Sequence, residues 1–375
     1  MSTERRPRVL FVGRARLRFP LEAGLVRRFD ALSGELDWVQ LGTATGAPPN
    51  DARFVLARRF PIGRLEGLAY HAALPFRARR ALRAIRPEVA IVQGAQETAL
   101  VLLGRWLARS RTKVVVDLHG DWRAPTRLYG SSLRRLLDPF ADWLARFALR
   151  RADGVRTITP YTSELVRAEG VEPTAEFPAY MDFAAFTEHP PVPLPSEPSV
   201  VVVGVLERYK AFDVLAEAWR RVVPEVPGAT LHVVGRGRLD PVARELVADL
   251  PSSVVWDRVL PAPEVARAID GACVLVLPSR SEGMGRVVIE AGLRGRPLVG
   301  SRVGGIPDVA LDGETAILVE PGDAAALAEA LTRVLADHDL TAQLGEAARV
   351  QAQQWLVSPE EYARRIRGLV DRVAE

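Results

Sequence analysis

Glu282 and Glu290 stand eight positions apart in the stretch SRSEGMGRVVIEAGLRGRPLVGSRVGG, residues 279–305. The first falls in a glycine-bracketed loop after the apolar run CVLVLP, residues 273–278; the second lies inside a helical pattern that begins near Gly285. A loop between a strand's carboxyl end and a helix's amino end offers free backbone N–H groups, and the helix dipole there favours an anion such as phosphate. Gly283 and Gly285 allow a ligand close to the backbone. Glu282 would then point at the ligand, and Glu290 could accept hydrogen bonds from paired hydroxyls such as a ribose diol. Plainer readings stand beside these. Arg286 and Arg294 lie four residues either side of Glu290, the spacing of an exposed charge ladder. Glu282 alone would pass for a solvated loop acid.

Cations are the second source of chemistry. Of 50 Lys and Arg residues only Lys113 and Lys210 are lysines. Arginine is the default, so the place of each lysine matters. Arg14, Arg16 and Arg18 follow Gly13 and suit either an anionic acceptor or solvent. The stretches RARRALRAIR (77–86) and LRRLLDPFADWLARFALRR (133–151) mix arginines with Leu, Phe and Trp143. Such surfaces can lie against anionic lipid, or simply cover a sheet with their arginines in water. The acidic pair in DHD, residues 337–339, follows a helical pattern far from the other motifs and reads as a helix-end turn, so no metal site is expected. GRGRLD, residues 235–240, lacks the third glycine of a dinucleotide fingerprint and reads as a plain turn. Cys273 is the only cysteine, which excludes disulfides and cysteine-rich metal sites.

The elements that must position these residues are short β-branched runs alternating with helical patterns. Candidate strands are 8–13, 36–42, 89–94, 113–120 and 155–159 in the front half, and 199–206, 230–235, 253–256, 273–278, 297–301 and 316–319 in the back half. Continuous apolar strands alternating with helices imply parallel sheets covered on both faces. Between the halves, EHPPVPLPSEPS holds five prolines and reads as a stiff linker. The expectation is an α/β protein of two facing, Rossmann-like, doubly wound domains with an interdomain cleft, ligands binding at the strands' carboxyl ends. The domains would span 1–187 and 200–375, joined by the linker 188–199, with the last helix free to return to the first domain. Residues 1–185 hold 30 Lys+Arg against 19 Asp+Glu, a net of +11, and residues 186–375 hold 20 against 27, a net of −7. The basic half suggests an anionic partner. No apolar run reaches the roughly 18 residues of a membrane span, and no signal-peptide core is present. The expectation is a cytoplasmic protein, with a peripheral place at the inner face of the membrane compatible with the basic half.

The 46 residues PSRSEGMGRVVIEAGLRGRPLVGSRVGGIPDVALDGETAILVEPGD closely resemble the carboxyl-terminal signature of family 4 glycosyltransferases, retaining enzymes of the GT-B fold. The resemblance implies that Glu282 contacts a donor sugar and Glu290 holds the nucleotide ribose, with Gly283, Met284 and Gly285 at the donor. It continues to Asp323, which looks like a helix N-cap. VVVGVLERYKAFDVLAEAW (201–219) is similar to the family's strand, Gly-Arg-Leu and Lys-Gly pattern: Gly204, Leu206 and Lys210 match. Val205 stands where arginine is common, and Ala211 where glycine is. Lys210 would neutralise the donor's diphosphate, and Arg208 is a candidate for the missing second cation. Residues 254–269 resemble the segment that meets the base, near Arg258 and Val259. In the front half, His119 matches a family histidine near the donor sugar. Residues 152–166 and 177–186 resemble segments closing the first domain. Residues 12–24 depart, lacking the paired glycines after Gly13; Gly13 and Arg14 are candidates for an acceptor or phosphate loop.

The resemblance implies a retaining, metal-independent transferase acting between a nucleotide-diphosphate sugar and a hydroxyl acceptor: a glycan, a cell-envelope or lipid-linked glycan, or a small molecule. Glu282, Lys210 and His119 would be its catalytic residues. No cofactor is expected beyond the sugar nucleotide as co-substrate. The alternatives are a sugar phosphorylase or epimerase of the same fold, and a non-catalytic sugar-nucleotide or glycan-binding subunit, the last suggested by Val205. Nucleic-acid binding rests on charge alone, without a base-stacking or groove-reading motif.

Overall fold

The computed structural model describes residues 5–46, 49–58, 66–124 and 138–375. Residues 133–137 of the second basic stretch lie outside them. The chain divides into two units, one of residues 1–182 with 357–375 and one of residues 183–356.

The first unit runs β1 (Arg8–Arg18), α1 (Ala23–Glu35), β2 (Asp37–Thr45), β3 (Phe54–Arg58), α2 (Glu66–Ile85), β4 (Val89–Gln93), α3 (Ala95–Ala108), β5 (Lys113–Leu118), α4 (Asp138–Arg151), β6 (Gly154–Thr157), α5 (Pro160–Ala168) and β7 (Ala175–Glu176). Its seven strands pair in the order β3-β2-β1-β4-β5-β6-β7, all parallel. The sequence reading missed β3 and β7, the two edges of this sheet. β1 also outruns the expected strand. It passes through Gly13 and Arg14 to Arg18, with a register shift between Val12 and Arg16. The expected loop at Gly13 is therefore a bulge in a strand, the device that re-aims side chains near sites.

The second unit opens with the short helix α6 (Ala184–Thr187) and continues β8 (Ser199–Val203), a 3₁₀ turn (Arg208–Lys210), α7 (Phe212–Glu225), β9 (Thr230–Val234), α8 (Asp240–Asp249), β10 (Val254–Asp257), α9 (Ala262–Asp270), β11 (Val274–Leu277), α10 (Arg286–Leu293), β12 (Leu298–Ser301), α11 (Ile306–Val309), β13 (Ala316–Val319), α12 (Ala324–Ala336) and α13 (His338–Gln353). Its six strands run in the order β10-β9-β8-β11-β12-β13, again all parallel. The strand order reverses beside β8 and β11, the switch point where open α/β sheets place ligands. Both units are thus doubly wound, Rossmann-like sheets.

Burial explains the register of the elements. α7 turns Val214, Leu215, Ala218, Trp219 and Val222 inward, and the Trp219 indole donates to Ser253 Oγ at 3.1 Å. The last helix, α14 (Pro359–Ala374), joins the core of the first unit. Tyr362, Ile366, Leu369, Val370 and Val373 pack there with Phe29, Leu32 and Trp38. Each buried side chain of this size contributes about 1.5–3 kcal/mol, enough to fix the chain end on that unit.

The proline-rich segment is fastened to the second unit. Buried Arg294 donates to the carbonyls of His189 and Pro190 at 2.7 and 3.1 Å, and buried Arg296 to those of Val192 and Pro193 at 2.8 and 3.1 Å. Prolines lack an N–H, so the segment cannot pair regularly as a strand, and its carbonyls accept from these two guanidinium groups. Among the described residues no helix is long and apolar enough to cross a membrane.

Candidate functional site

The loops after β8 and β11 meet because those strands are neighbours in the sheet. The Lys210 ammonium donates to a Glu282 carboxylate oxygen at 2.6 Å, and both side chains are mostly covered. Ser279 Oγ reaches the same oxygen at 3.3 Å. An ammonium has three donors and no acceptor, so Lys210 can keep Glu282 and still donate to a second anion.

Arg280 fixes this arrangement, and the sequence reading passed over it. Its guanidinium grips both oxygens of Asp213, at 2.9 and 2.8 Å, and donates to the Arg208 carbonyl at 2.7 Å. Its backbone N–H donates to the Tyr209 carbonyl at 2.7 Å. Burial pushes the Asp213 carboxyl up, but Arg280 outweighs burial and holds it below the usual range. The signal in the sequence was available: Arg280 and Asp213 each follow one of two paired strands.

Close backbone approach explains the glycines. A Cβ on Gly304 would collide with the Glu282 carbonyl, and one on Gly305 with the Gly283 carbonyl. The Gly305 N–H donates to Glu282 O at 3.2 Å. Gly285, at φ +74°, begins α10 in a left-handed conformation. Met284 is buried behind the loop. Gly235 and Gly237, read from the sequence as a plain turn, admit the backbone of 204–206: a Cβ on either would strike the Gly204 or Leu206 carbonyl. The Leu206 N–H donates to Arg236 O at 3.1 Å. Ala211 is left-handed at φ +52°, so the family glycine matched to this position answers a backbone requirement that alanine meets with strain.

Glu290 is not part of a surface ladder. It is 7% exposed. Arg286 donates to it at 2.7 Å, whereas Arg294 is buried and grips both oxygens of Asp270 instead, at 2.8 and 2.7 Å. Burial pushes the Glu290 carboxyl above the ordinary carboxylate range, with Arg286 pulling the other way. A carboxylate so placed gains from any hydroxyl that donates to it.

Of the other residues expected at the site, Gly204 adjoins the Lys210 side chain, whereas Arg208 faces solvent and Arg258 is held by another partner. In a 3₁₀ turn successive residues step by about 120°, so Arg208 and Lys210 leave on different faces. The Arg208 side chain is exposed and makes no ion pair among the described residues. Gly204, at φ +153°, has the Lys210 side chain 3.8 Å from where a Cβ would sit. Arg258 is held by Asp240 at 2.7 Å and lies over the Trp256 ring; Val259 is exposed. Asp323 caps α12, accepting from Ala325 and Ala326 at 3.0 and 2.9 Å. Asp337 of DHD caps α13, accepting from Leu340 at 2.9 Å. Among the described residues no group of His, Cys, Asp or Glu is arranged to hold a metal ion.

In the first unit, His119 follows β5. Its Nε2 lies 3.0 Å from Asp117 Oδ2 and its Nδ1 3.3 Å from the Gln93 amide. Asp117 also accepts from fully buried Arg156 at 2.6 Å, and Arg156 donates to the carbonyls of Phe177 and Pro178. Burial alone would raise the Asp117 carboxyl; the Arg156 charge and the His119 ring outweigh it and hold it well below the carboxylate range. Asp117 and Arg156 are register partners on β5 and β6. A charge inside each of two adjacent apolar strands, VVVDL and VRT, was the signal that they pair.

Gly13 and Arg14 sit at the β1 bulge. Arg16 pairs with buried Glu66 at 2.9 Å, and the Arg14 guanidinium lies beside Gly67 of α2. The next ring on α2, His71, has acceptors at both nitrogens: Gly67 O at 2.6 Å and the Glu97 carboxylate at 3.3 Å. The Glu97 contact raises its pKa. Neighbouring Tyr70 has a buried hydroxyl without a hydrogen-bond partner, and burial pushes it up to about 12.

Comparison with known proteins places these features in context. The model described as "Glycosyl transferases group 1" matches residues 197–337, and "Glycosyl transferase 4-like domain" matches residues 14–176. N-acetyl-alpha-D-glucosaminyl L-malate synthase of Bacillus anthracis is 28% identical over 262 residues, 66% of this chain and 65% of that protein. GDP-mannose-dependent alpha-(1-6)-phosphatidylinositol monomannoside mannosyltransferase of Mycolicibacterium smegmatis is 32% identical over 229 residues, 55% of this chain and 60% of that protein. A sulfoquinovosyl transferase of Arabidopsis thaliana is 31% identical over 164 residues, 43% of this chain and 31% of that protein. The chain thus spans less than two thirds of each of these relatives. In fold it is similar to sucrose-phosphate synthase of Thermosynechococcus elongatus, with TM-score 0.76, 21% identity, and 98% and 99% of the two chains covered. It is also similar to Anabaena HepE in complex with UDP-glucose, with TM-score 0.68, 19% identity, and 97% and 100% covered.

Proposed function

The chain belongs to the family 4 glycosyltransferases, and on that premise we propose that it moves a sugar, with retention, from a nucleotide-diphosphate sugar to a hydroxyl acceptor. The observation that carries the reading is the Lys210–Glu282 contact at the amino end of α10, locked by Arg280. The donor diphosphate lies at this helix end and at Lys210. As the bond to the sugar breaks, charge grows on the leaving diphosphate, and a preset ammonium stabilises that charge without reorganising. Glu282 orients the sugar and Glu290 accepts from the ribose hydroxyls. Gly204, Gly283 and Gly285 leave room for the phosphates, and the base lies near Arg258 and Val259.

The acceptor hydroxyl attacks from the leaving-group face and gives its proton to a donor phosphate oxygen. This route uses no protein base, and Lys210 takes the neutralising role that a metal ion has elsewhere, so the proposed reaction is metal-independent. His119, oriented by Asp117, contacts the reacting sugar. The first unit chooses the acceptor, with Gly13 and Arg14 nearest an anionic or glycan group. We place the protein in the cytoplasm, its basic first unit drawn to an anionic acceptor or membrane.

The test is incubation with a panel of nucleotide sugars and candidate acceptors, scoring release of nucleoside diphosphate and the anomer of the product by NMR. Transfer with retained configuration supports the reading. Donor binding with no release on any acceptor, or an inverted product, contradicts it.

A further inference from the structure

α4 carries an aromatic stripe that the sheet does not use. Its inner face buries Ala145, Ala148 and Leu149. On its outer face Phe140, Trp143 and Phe147 recur at helical spacing, the first two 61% and 56% exposed. Their rings stack in sequence, with centroids 5.8 and 5.9 Å apart. α3 packs beside α4 and adds Leu103 and Trp106, the latter 73% exposed. A cavity of about 1140 Å³ is lined by Leu103, Trp106 and Phe147 together with Arg109, Arg111 and Arg151. Those three arginines make no ion pair among the described residues, whereas the neighbouring Asp153 is taken by Arg105 at 2.5 Å.

Exposed rings and unpaired cations on one face narrow the partner. Apolar surface of this kind marks an interaction site. A second copy docking through the same face would set arginine against arginine, so charge complementarity argues against self-association. A bilayer of anionic lipid satisfies both features, since aromatic side chains favour the headgroup boundary and arginines favour the anionic leaflet. We propose that the α3–α4 face docks on an anionic lipid bilayer, with Phe140, Trp143 and Trp106 at the headgroup boundary and Arg109, Arg111 and Arg151 on lipid phosphates. The inference deepens the membrane part of the proposed function and rests on it only for purpose, bringing a transferase to a lipid-borne acceptor.

Flotation of the full chain with vesicles, without donor, tests it apart from transfer. Vesicles of phosphatidylcholine alone should bind little. Adding phosphatidylglycerol should give binding that falls as salt rises, because exposed charges are screened over roughly 10 Å at 0.1 M. Arg109→Ala/Arg111→Ala/Arg151→Ala should weaken binding roughly a hundredfold, at about fivefold for each cation. Trp106→Ser/Trp143→Ser, both at exposed positions, should leave the melting temperature unchanged and lose most binding even at low salt. Failure to bind anionic vesicles at low salt overturns the proposal, as does binding that neither variant alters. A dimer that the tryptophan variant dissolves, with no vesicle binding, assigns the face to a second copy and also overturns it.

Discussion

Each unit holds a cation–carboxylate pair near the carboxyl ends of its central strands, and the two pairs are built for different work. In the second unit Lys210 and Glu282 meet from loops, partly accessible, and either can take a further partner. In the first, Asp117 and Arg156 meet inside adjacent strands, with Arg156 fully buried and bonded to two backbone carbonyls besides. A pair in loops can exchange contacts with a ligand at little structural cost. A pair in strands cannot; it serves by holding one ring, His119, in a fixed orientation. The difference separates a pair open to a ligand from a frame that orients.

The contrast is broken most forcefully at the frame. Arg156→Met removes the buried partner of Asp117 and leaves only the His119 ring beside its carboxylate, which costs about 3–5 kcal/mol, and denaturant unfolding should show that loss. Asp117 is held below the ordinary range, so its contribution is complete above that range and is lost as pH falls through its depressed pKa. A variant with wild-type stability at neutral pH would mean the pair is not structural.

In the second unit the expected losses fall on the ligand. Glu290→Ala should weaken donor binding by about 1.5–3 kcal/mol, the worth of a hydrogen bond to a charged group, read by calorimetry on folded protein. The pH dependence follows from the sign of the shift. Burial raises the Glu290 pKa, and hydroxyl donors favour the ionised form. Wild-type affinity should therefore climb as pH rises through that raised pKa, and Glu290→Gln should flatten the curve. Unchanged affinity in Glu290→Ala would remove Glu290 from the donor site.

The smallest effect sharpens the assignment of charge. Arg208 leaves the 3₁₀ turn on another face from Lys210, so Arg208→Ala should change single-turnover transfer by no more than about 0.5 kcal/mol, as for an ordinary surface change. A loss in turnover comparable to that of Lys210→Ala would show that Arg208 supplies the second cation.

The second unit was the more legible in sequence because its chemistry sits in one continuous run, where strand, loop and helix follow each other. The sequence pattern placed Glu282 in a loop and Gly285 and Glu290 at the start of and inside a helix, while their roles came from the resemblance. Arg280 could not be placed from spacing, because its partner Asp213 lies in the first turn of α7, after another strand, and only the pairing of β8 with β11 joins them. The reading of Glu290 as a surface ladder failed for a related reason: spacing places Arg286 and Arg294 near it but does not say that Arg294 turns inward to Asp270. In the first unit, β3 and β7 escaped notice as short edge strands: β7 is two residues, and the apolar run of β3 is only four residues long before Arg58. The β1 bulge escaped because arginines at 14, 16 and 18 look like loop, although Leu17 between them is buried. His119 was visible by resemblance; the Asp117–Arg156 frame behind it needed the pairing of β5 with β6.

The central claim, that a fixed ammonium carries the leaving diphosphate, is tested most directly by single-turnover transfer in wild type and Lys210→Ala, both with EDTA present. The account predicts that wild type keeps its rate in the chelator and that Lys210→Ala falls by about 10²–10³, the usual loss on removing one preset charge-stabilising donor, with donor affinity changing far less. Transfer abolished by EDTA in wild type and restored by a divalent ion, or a Lys210→Ala rate equal to wild type, would contradict it.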